Sequence, residues 1–264
     1  MTKTRKELAF LRDLYIQDEW TRRFTELVDK HMDLSDSENM LYINAGTGAH
    51  ALAIDERFGS KTTVFATCEN EDMLVIARDK AAAVRSEVDF STIRFEDDAF
   101  DAVLADASFV PSIDLDEFIE NTVRVSRTGG DIAVFMPSAG SFGEIFSLLW
   151  EALFNADLIE HGPIVEKLIA ELPPVWRIEE MAERSGLVNI NTQTAVEVFD
   201  YEASADFISS PLIADFLIPA WLEPLDDDEK ERATKELALL IDAEDDTLSF
   251  RFSVKATLLT AEKA

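Results

Sequence analysis

The 264 residues include a single cysteine, Cys68, and only three histidines, His31, His50 and His161. One cysteine excludes an intramolecular disulfide framework and any cysteine-rich zinc centre. The histidines are scattered along the chain and lack metal-ligand spacing, so no metal site is expected. Positive charge is scarce as well: 24 Lys and Arg stand against 53 Asp and Glu, a formal net charge of −29. Such a surface repels polyanions, and nucleic acid is set aside as a partner because its binding draws on Lys and Arg meeting phosphates. The densest acidic runs, Asp226 to Glu229 and Glu244 to Asp246, read as a solvated polar face serving solubility or salt tolerance. No run of roughly 18 apolar residues occurs, and the opening MTKTRKELAFLRDLYIQDEW is broken by charge every few positions. Neither a membrane span nor a secretory leader is expected, and the chain reads as cytoplasmic.

What is present is ample apolar material, 47% of residues, enough for the core of one large domain. Residues 5–31 read as amphipathic helix, with Leu8, Leu11, Tyr15, Trp20, Phe24, Leu27 and Val28 at helical spacing. A short strand, Met40 to Asn44, then runs into Ala45-Gly46-Thr47-Gly48 and a helix from Ala49 to Phe58. Strand 62–68, a helix near 73–84, a brief strand near Val88 and a strand 100–105 repeat the unit. A helix near 115–126 ends at Thr128-Gly129-Gly130, where glycine suits a helix C-cap, and 131–136 gives another strand. Strands alternating with helices imply parallel pairing with both sheet faces covered.

Beyond residue 137 the pattern changes. Residues 141–172 are helical, with Phe142, Phe146, Leu149, Trp150 and Leu153 on one stripe; a helix 178–185 is closed by Gly186, and a strand lies near 194–199. A second helical insert carries Ile213, Phe216, Leu217, Ala220 and Trp221 on one face. Finally Leu248, Phe250, Phe252, Val254, Ala256 and Leu258 alternate with polar residues, the period of a strand with one polar face, typical of antiparallel pairing.

The chemistry centres on the glycine turn. Gly46 and Gly48 let the backbone bend sharply and approach a ligand, and the following helix presents free N–H groups to an anionic group. Glu69, 23 residues beyond Gly46, stands at the end of the second strand, where an acid accepts hydrogen bonds from ribose hydroxyls. Read literally, Gly46-Thr47-Gly48-Ala49-His50-Ala51 matches the G-x-G-x-x-A dinucleotide fingerprint, which keeps an NAD(P)-dependent oxidoreductase open. Gly59-Ser60-Lys61-Thr62 lacks the spacing of a phosphate loop, and Ala139-Gly140-Ser141-Phe142-Gly143 lacks the glycine a nucleophile elbow needs, so kinase and hydrolase are set aside.

Four ordered segments resemble the class I methyltransferase family that uses S-adenosylmethionine. Tyr42-Ile43-Asn44-Ala45-Gly46-Thr47-Gly48 lies on the first glycine motif, and Glu69 with Met73-Leu74 and Ala77-Arg78 on the second-strand acid and its helix. Residues 95–103 lie on the segment leading into the fourth strand, and Arg127 to Val134 on the glycine pair before the fifth. The resemblance implies a doubly wound, mostly parallel seven-stranded α/β sheet with a terminal antiparallel strand. Within one methyltransferase-like domain it implies an N-terminal helical segment (1–39), a cofactor-binding core (40–137), and helical inserts at 138–175 and 202–246 where the family places substrate-covering elements.

By the same resemblance the backbone from Gly46 to Gly48 faces the methionine part of S-adenosylmethionine, Glu69 the ribose, and Asp89 with Phe90 the adenine, and Tyr42, Asn44, Ala45, Thr47, Asn70 and Asp106 are the other residues expected to bind the cofactor. The family has an acid at the position of Tyr42 and a glycine at that of Asn44, so a non-catalytic scaffold on the same fold is a further alternative. The implied activity is methyl transfer to a small molecule. His50, His161, Tyr201 and Asp106 are candidate bases, none with a catalytic pattern around it. Phe142, Phe146, Trp150, Trp176 and Trp221 read either as core or as the wall of an apolar acceptor pocket. Cys68 reads as core. The oligomeric state is not legible.

Overall fold

The computed structural model describes residues 3–34, 37–243 and 249–264; Leu248 and the acidic run Glu244 to Asp246 lie outside the described residues. The chain opens with a helical arm in which α1 (Arg5–Leu11), a π-helical stretch (Arg12–Thr21) and α2 (Arg22–His31) follow without a break. A capping box starts it: the Thr4 hydroxyl accepts from the Glu7 amide, and Glu7 reaches back to the Thr4 amide. The buried stripe is Ala9, Arg12, Ile16, Trp20 and Phe24. From Arg12 to Phe24 the spacing is four, which the wider π turn holds on one side. The face expected from Leu8, Leu11 and Tyr15 is therefore rotated: Tyr15 points out and Arg12 points in.

Next come β1 (Asn39–Ile43), α3 (Ala49–Phe58), β2 (Thr63–Thr67), α4 (Glu71–Val84), β3 (Asp89–Ser91), β4 (Phe100–Asp106), α5 (Leu115–Val125) and β5 (Ser126–Pro137). After them lie α6 (Gly143–Asn155), α7 (Gly162–Glu171), α8 (Val175–Arg184), β6 (Leu187–Tyr201), α9 (Ser204–Ser209), α10 (Ile218–Trp221), α11 (Asp227–Ala243) and β7 (Phe250–Lys263). The sheet order is β3-β2-β1-β4-β5-β7-β6. Strands β1 to β5 pair in parallel, Met40 beside both Val64 and Ala102, and the terminal strand is antiparallel, as expected of a doubly wound α/β fold. All seven residues of β4 are buried, which suits a central strand covered on both faces. On β7, Phe250, Phe252, Val254, Ala256 and Leu258 are buried while Arg251 is exposed.

One expected feature is corrected. Gly129 and Gly130 do not cap α5, which ends at Val125 with an extended Ser126. They lie in β5, whose register against β4 shifts between Phe100 opposite Ser126 and Ala102 opposite Asp131. The extra residues bulge out of the ladder, and a Cβ on Gly130 would stand 2.5 Å from Ser126 Oγ.

The chain divides into two compact units, Met1–Met136 with Pro174–Ala195 and Ala256–Ala264, and Pro137–Pro173 with Val196–Lys255. In the first, Leu41, Val103, Ile119, Val134, Ile178 and Leu259 belong to one buried cluster. In the second, Phe142, Phe146 and Trp221 form a mutual ring cluster with centroids 5.1–5.7 Å apart. These aromatics are the core of that unit, not a pocket wall. Trp150 and Trp176 are exposed, Trp150 stacking on Phe154.

Candidate functional site

The carboxyl ends of β1, β2 and β4 meet at the point where the sheet order reverses, the place where open α/β sheets bind ligands. Past β1 the backbone enters the left-handed region at Asn44 (φ 58°), Gly46 (φ 58°) and Gly48 (φ 82°). Asn44 tolerates this because its side chain is short and is anchored, Nδ2 donating to the Asp106 carbonyl at 3.2 Å. The Ala45 amide donates to the Thr67 carbonyl at 2.8 Å, and the Gly48 amide to the Ala45 carbonyl at 2.9 Å, closing the turn before α3. The Gly46 amide donates to Glu69 Oε2 at 3.1 Å, so the second-strand acid reaches the glycine turn.

Above this turn lies the arm. The Arg12 guanidinium is 3.4 Å from Glu69 Oε1, 3.6 Å from Asp106 Oδ2, and 4.2 Å from the centre of the Phe109 ring. Its neighbour Asp13 accepts from Thr47 Oγ1 at 2.7 Å and from Lys80 at 2.6 Å. The Trp20 indole donates to Ser108 Oγ at 3.0 Å. Asp106 is 3% exposed and accepts from the Ser108 amide at 2.7 Å; burial raises its pKa to about 6, against the pull of Arg12 and the Ser108 hydrogen bonds.

Tyr42 is buried with its hydroxyl 3.4 Å from His50 Nδ1, and His50 Nε2 lies 3.5 Å from Asp29. Burial, with the charges of Asp106 and Glu69, pushes the Tyr42 phenol well above its usual range, which keeps it a neutral donor. The hydrogen bond from His50 holds Asp29 below the ordinary carboxylate value. Burial pushes the Cys68 thiol up to about 12, in keeping with a packed and unreactive side chain.

Residues 40–130 match a family model described as a methyltransferase domain. Over these residues the chain is similar to a methyltransferase domain. Among relatives, the chain is 26% identical over 182 residues to "Methyltransferase GfsG" of Streptomyces halstedii, covering 62% of this chain and 64% of that protein. It is 28% identical over 148 residues to "Demethylmenaquinone methyltransferase" of Shouchella clausii, covering 54% and 63%. The match thus spans just under two thirds of each curated relative. Among solved structures, the YcgJ protein of Bacillus subtilis aligns with TM-score 0.57 at 15% identity, covering 92% of this chain and 98% of that one. Phosphoethanolamine N-methyltransferase 2 of Haemonchus contortus, solved with phosphomonomethylethanolamine and S-adenosylhomocysteine, aligns with TM-score 0.57 at 15% identity, covering 99% and 59%. These two likenesses concern the fold alone. Neither the dinucleotide nor the scaffold reading is favoured by the matches.

Tyr42, Asn44, Ala45, Gly46, Thr47, Gly48, Glu69 and Asp106 come together in one region; Asn70, Asp89 and Phe90 complete the expected set. The Asn70 side chain caps α4, accepting from the Met73 amide at 3.0 Å. Asn70→Ala should therefore cost about 1 kcal/mol of stability in chemical denaturation. Asp89 is exposed on the edge strand β3. Phe90 is buried beneath the turn, its ring filling the space a side chain at Gly48 would need. His161, 3.6 Å from Glu229, and Tyr201, stacked against Phe252, both lie in the second unit, whereas the gathered residues lie in the first.

The sequence reading missed Arg12, Asp13, Ser108 and Phe109. The available signal was Arg12 itself, a charge four residues before Ile16 and eight before Trp20.

Among the described residues no helix is long and apolar enough to cross a membrane, and no group of three or more His, Cys, Asp or Glu could hold a metal ion.

Proposed function

We propose that this chain is a methyltransferase that binds S-adenosylmethionine over the ends of β1, β2 and β4 and methylates a small molecule. The observation that carries the reading is the juxtaposition of the positive-φ turn at Gly46, the Glu69 carboxylate bonded to its amide, and the buried Asp106. The residues fit a cationic nucleoside. A Cβ on Gly46 would meet only the Arg12 side chain within 4 Å, so the backbone is open to close approach once that side chain swings aside. The two carboxylates already hold one positive group between them, in Arg12.

In this reading Asn44, Ala45, Gly46 and Thr47 face the methionine part, Glu69 takes the ribose hydroxyls, and Asp106 lies beside the charged centre. The cofactor, when bound, supplies a methyl group on a sulfonium, ready for in-line displacement. The contribution of the chain is to orient the acceptor along that line and keep water away, which needs no fixed catalytic pair. The acidity of the protein argues for a small molecule over a nucleic acid. The relative named for demethylmenaquinone is consistent with an apolar acceptor.

Calorimetric titration with S-adenosylmethionine, S-adenosylhomocysteine and NAD tests the reading. The first two should bind and NAD should not, and Glu69→Ala should weaken binding about 10- to 100-fold, the loss of hydrogen bonds to a charged group. A cooperatively folded protein that binds none of the three at millimolar concentration would sink the proposal.

A further inference from the structure

Arg12 is 5% exposed on the inner face of the arm, and a buried guanidinium is costly unless it is paired. Glu69, Asp106 and the face of Phe109 supply that pairing. The same side chain covers the glycine turn, its Nε 3.6 Å from where a Cβ of Gly46 would stand. A positive group of the chain thus occupies the space between the turn and the two acids, where the methyl donor has to lie. The arm is fastened around it by Asp13 on Thr47 and Lys80, and by Trp20 on Ser108.

We infer that Arg12 is a resident counter-cation that the methyl donor must displace, and that it sets both the affinity of the site and its preference for a positively charged ligand. The inference rests on the cofactor reading proposed above. With Arg12 seated, the charge of Asp106 is compensated although the side chain is 3% exposed. A ligand that moves Arg12 away leaves that charge unpaired unless it brings its own cation. The sulfonium of S-adenosylmethionine does so; the thioether of S-adenosylhomocysteine does not. Displacement also lowers the apparent affinity by the fraction of molecules with the site open, so an arm seated in about nine molecules of ten reduces it about tenfold.

The experiment combines calorimetry with hydrogen exchange on the full chain, using wild type, Arg12→Gln and Arg12→Lys. Arg12→Gln should bind S-adenosylmethionine about tenfold more tightly than wild type, while Arg12→Lys, which keeps the charge, should stay within about twofold. Wild type should bind S-adenosylmethionine more tightly than S-adenosylhomocysteine. Exchange across residues 5–31 should rise in ligand-free Arg12→Gln, and in wild type it should rise when S-adenosylmethionine is added. Unchanged or weaker binding by Arg12→Gln, equal affinity of wild type for the two nucleosides, or protection of the wild-type arm by ligand would each overturn the inference. If neither wild type nor Arg12→Gln binds S-adenosylmethionine although the arm of Arg12→Gln exchanges faster, the failure is that of the cofactor reading, and the competition falls with it.

Discussion

Replacing Gly48 by alanine should destabilise the protein by about 2–5 kcal/mol, the sum of two separable costs. The first is conformational: at φ 82° an L side chain sits in the left-handed region, at about 1–2 kcal/mol. The second is steric. The new Cβ would stand 2.6 Å from Phe90 Cζ, 2.8 Å from Phe90 Cε1 and 3.1 Å from Ala77 Cβ. Phe90 is 2% exposed and cannot swing into solvent, so the strain falls on the packing between β3 and α4, at about 1–3 kcal/mol. Gly46→Ala is the control. It carries a similar φ of 58° but meets only Arg12, at an ordinary 3.6 Å, and should lose no more than about 1–2 kcal/mol. Equal losses at the two glycines in urea denaturation would refute the steric part. The two turn glycines thus differ in purpose: Gly48 lets the helix approach β3, and Gly46 leaves the backbone open towards the site.

Asp106 should make stability fall as pH rises through 6. Its folded pKa is raised from 3.8 to about 6, first by burial, so the folded chain holds this proton more tightly than the unfolded chain. Stability from this group is therefore fully present below about pH 4 and is lost progressively until pH passes about 6. A shift of about two units corresponds to on the order of 3 kcal/mol. Because other carboxylates also titrate in this window, the measurement is a difference: the stability of Asp106→Asn minus that of wild type, by chemical denaturation from pH 4 to pH 7.5. The difference should move in favour of the variant by a few kcal/mol as pH rises. A difference that does not vary with pH would remove Asp106 as the buried acid of the site.

The alternation of strands and helices from β1 to β5 was legible because each element carries its own local signal. The buried β4 carries the apolar run Ala102 to Ala105, and α3 starts at a glycine and stops at another. The frame of the site was legible for the same reason, since Gly46 and Glu69 terminate consecutive strands that lie side by side in the sheet. Less visible were features that depend on what packs across space. A pair of glycines after a helix suits a C-cap as well as a bulge, and the register of β5 against β4 decided for the bulge. The aromatic stripe of α6 suits a pocket wall as well as a core, and its ring contacts with Trp221 decided for the core.

Arg12 shows the limit most plainly. A charged residue in an amphipathic helix defaults to the solvent side, and the 3.6-residue period from Leu8 through Leu11 to Tyr15 agrees with that choice. Two non-local facts reverse it: the helix is wound wider from Arg12 to Thr21, and two carboxylates from β2 and β4 wait beneath. The sequence by itself determined the order of elements, the turn at Gly46 to Gly48 and the acid at Glu69, because those follow from hydrophobic period and backbone freedom within a few residues. Only the tertiary structure decided which charge faces that acid, because a buried ion pair is settled by groups far apart in the chain that must neutralise one another once water is gone.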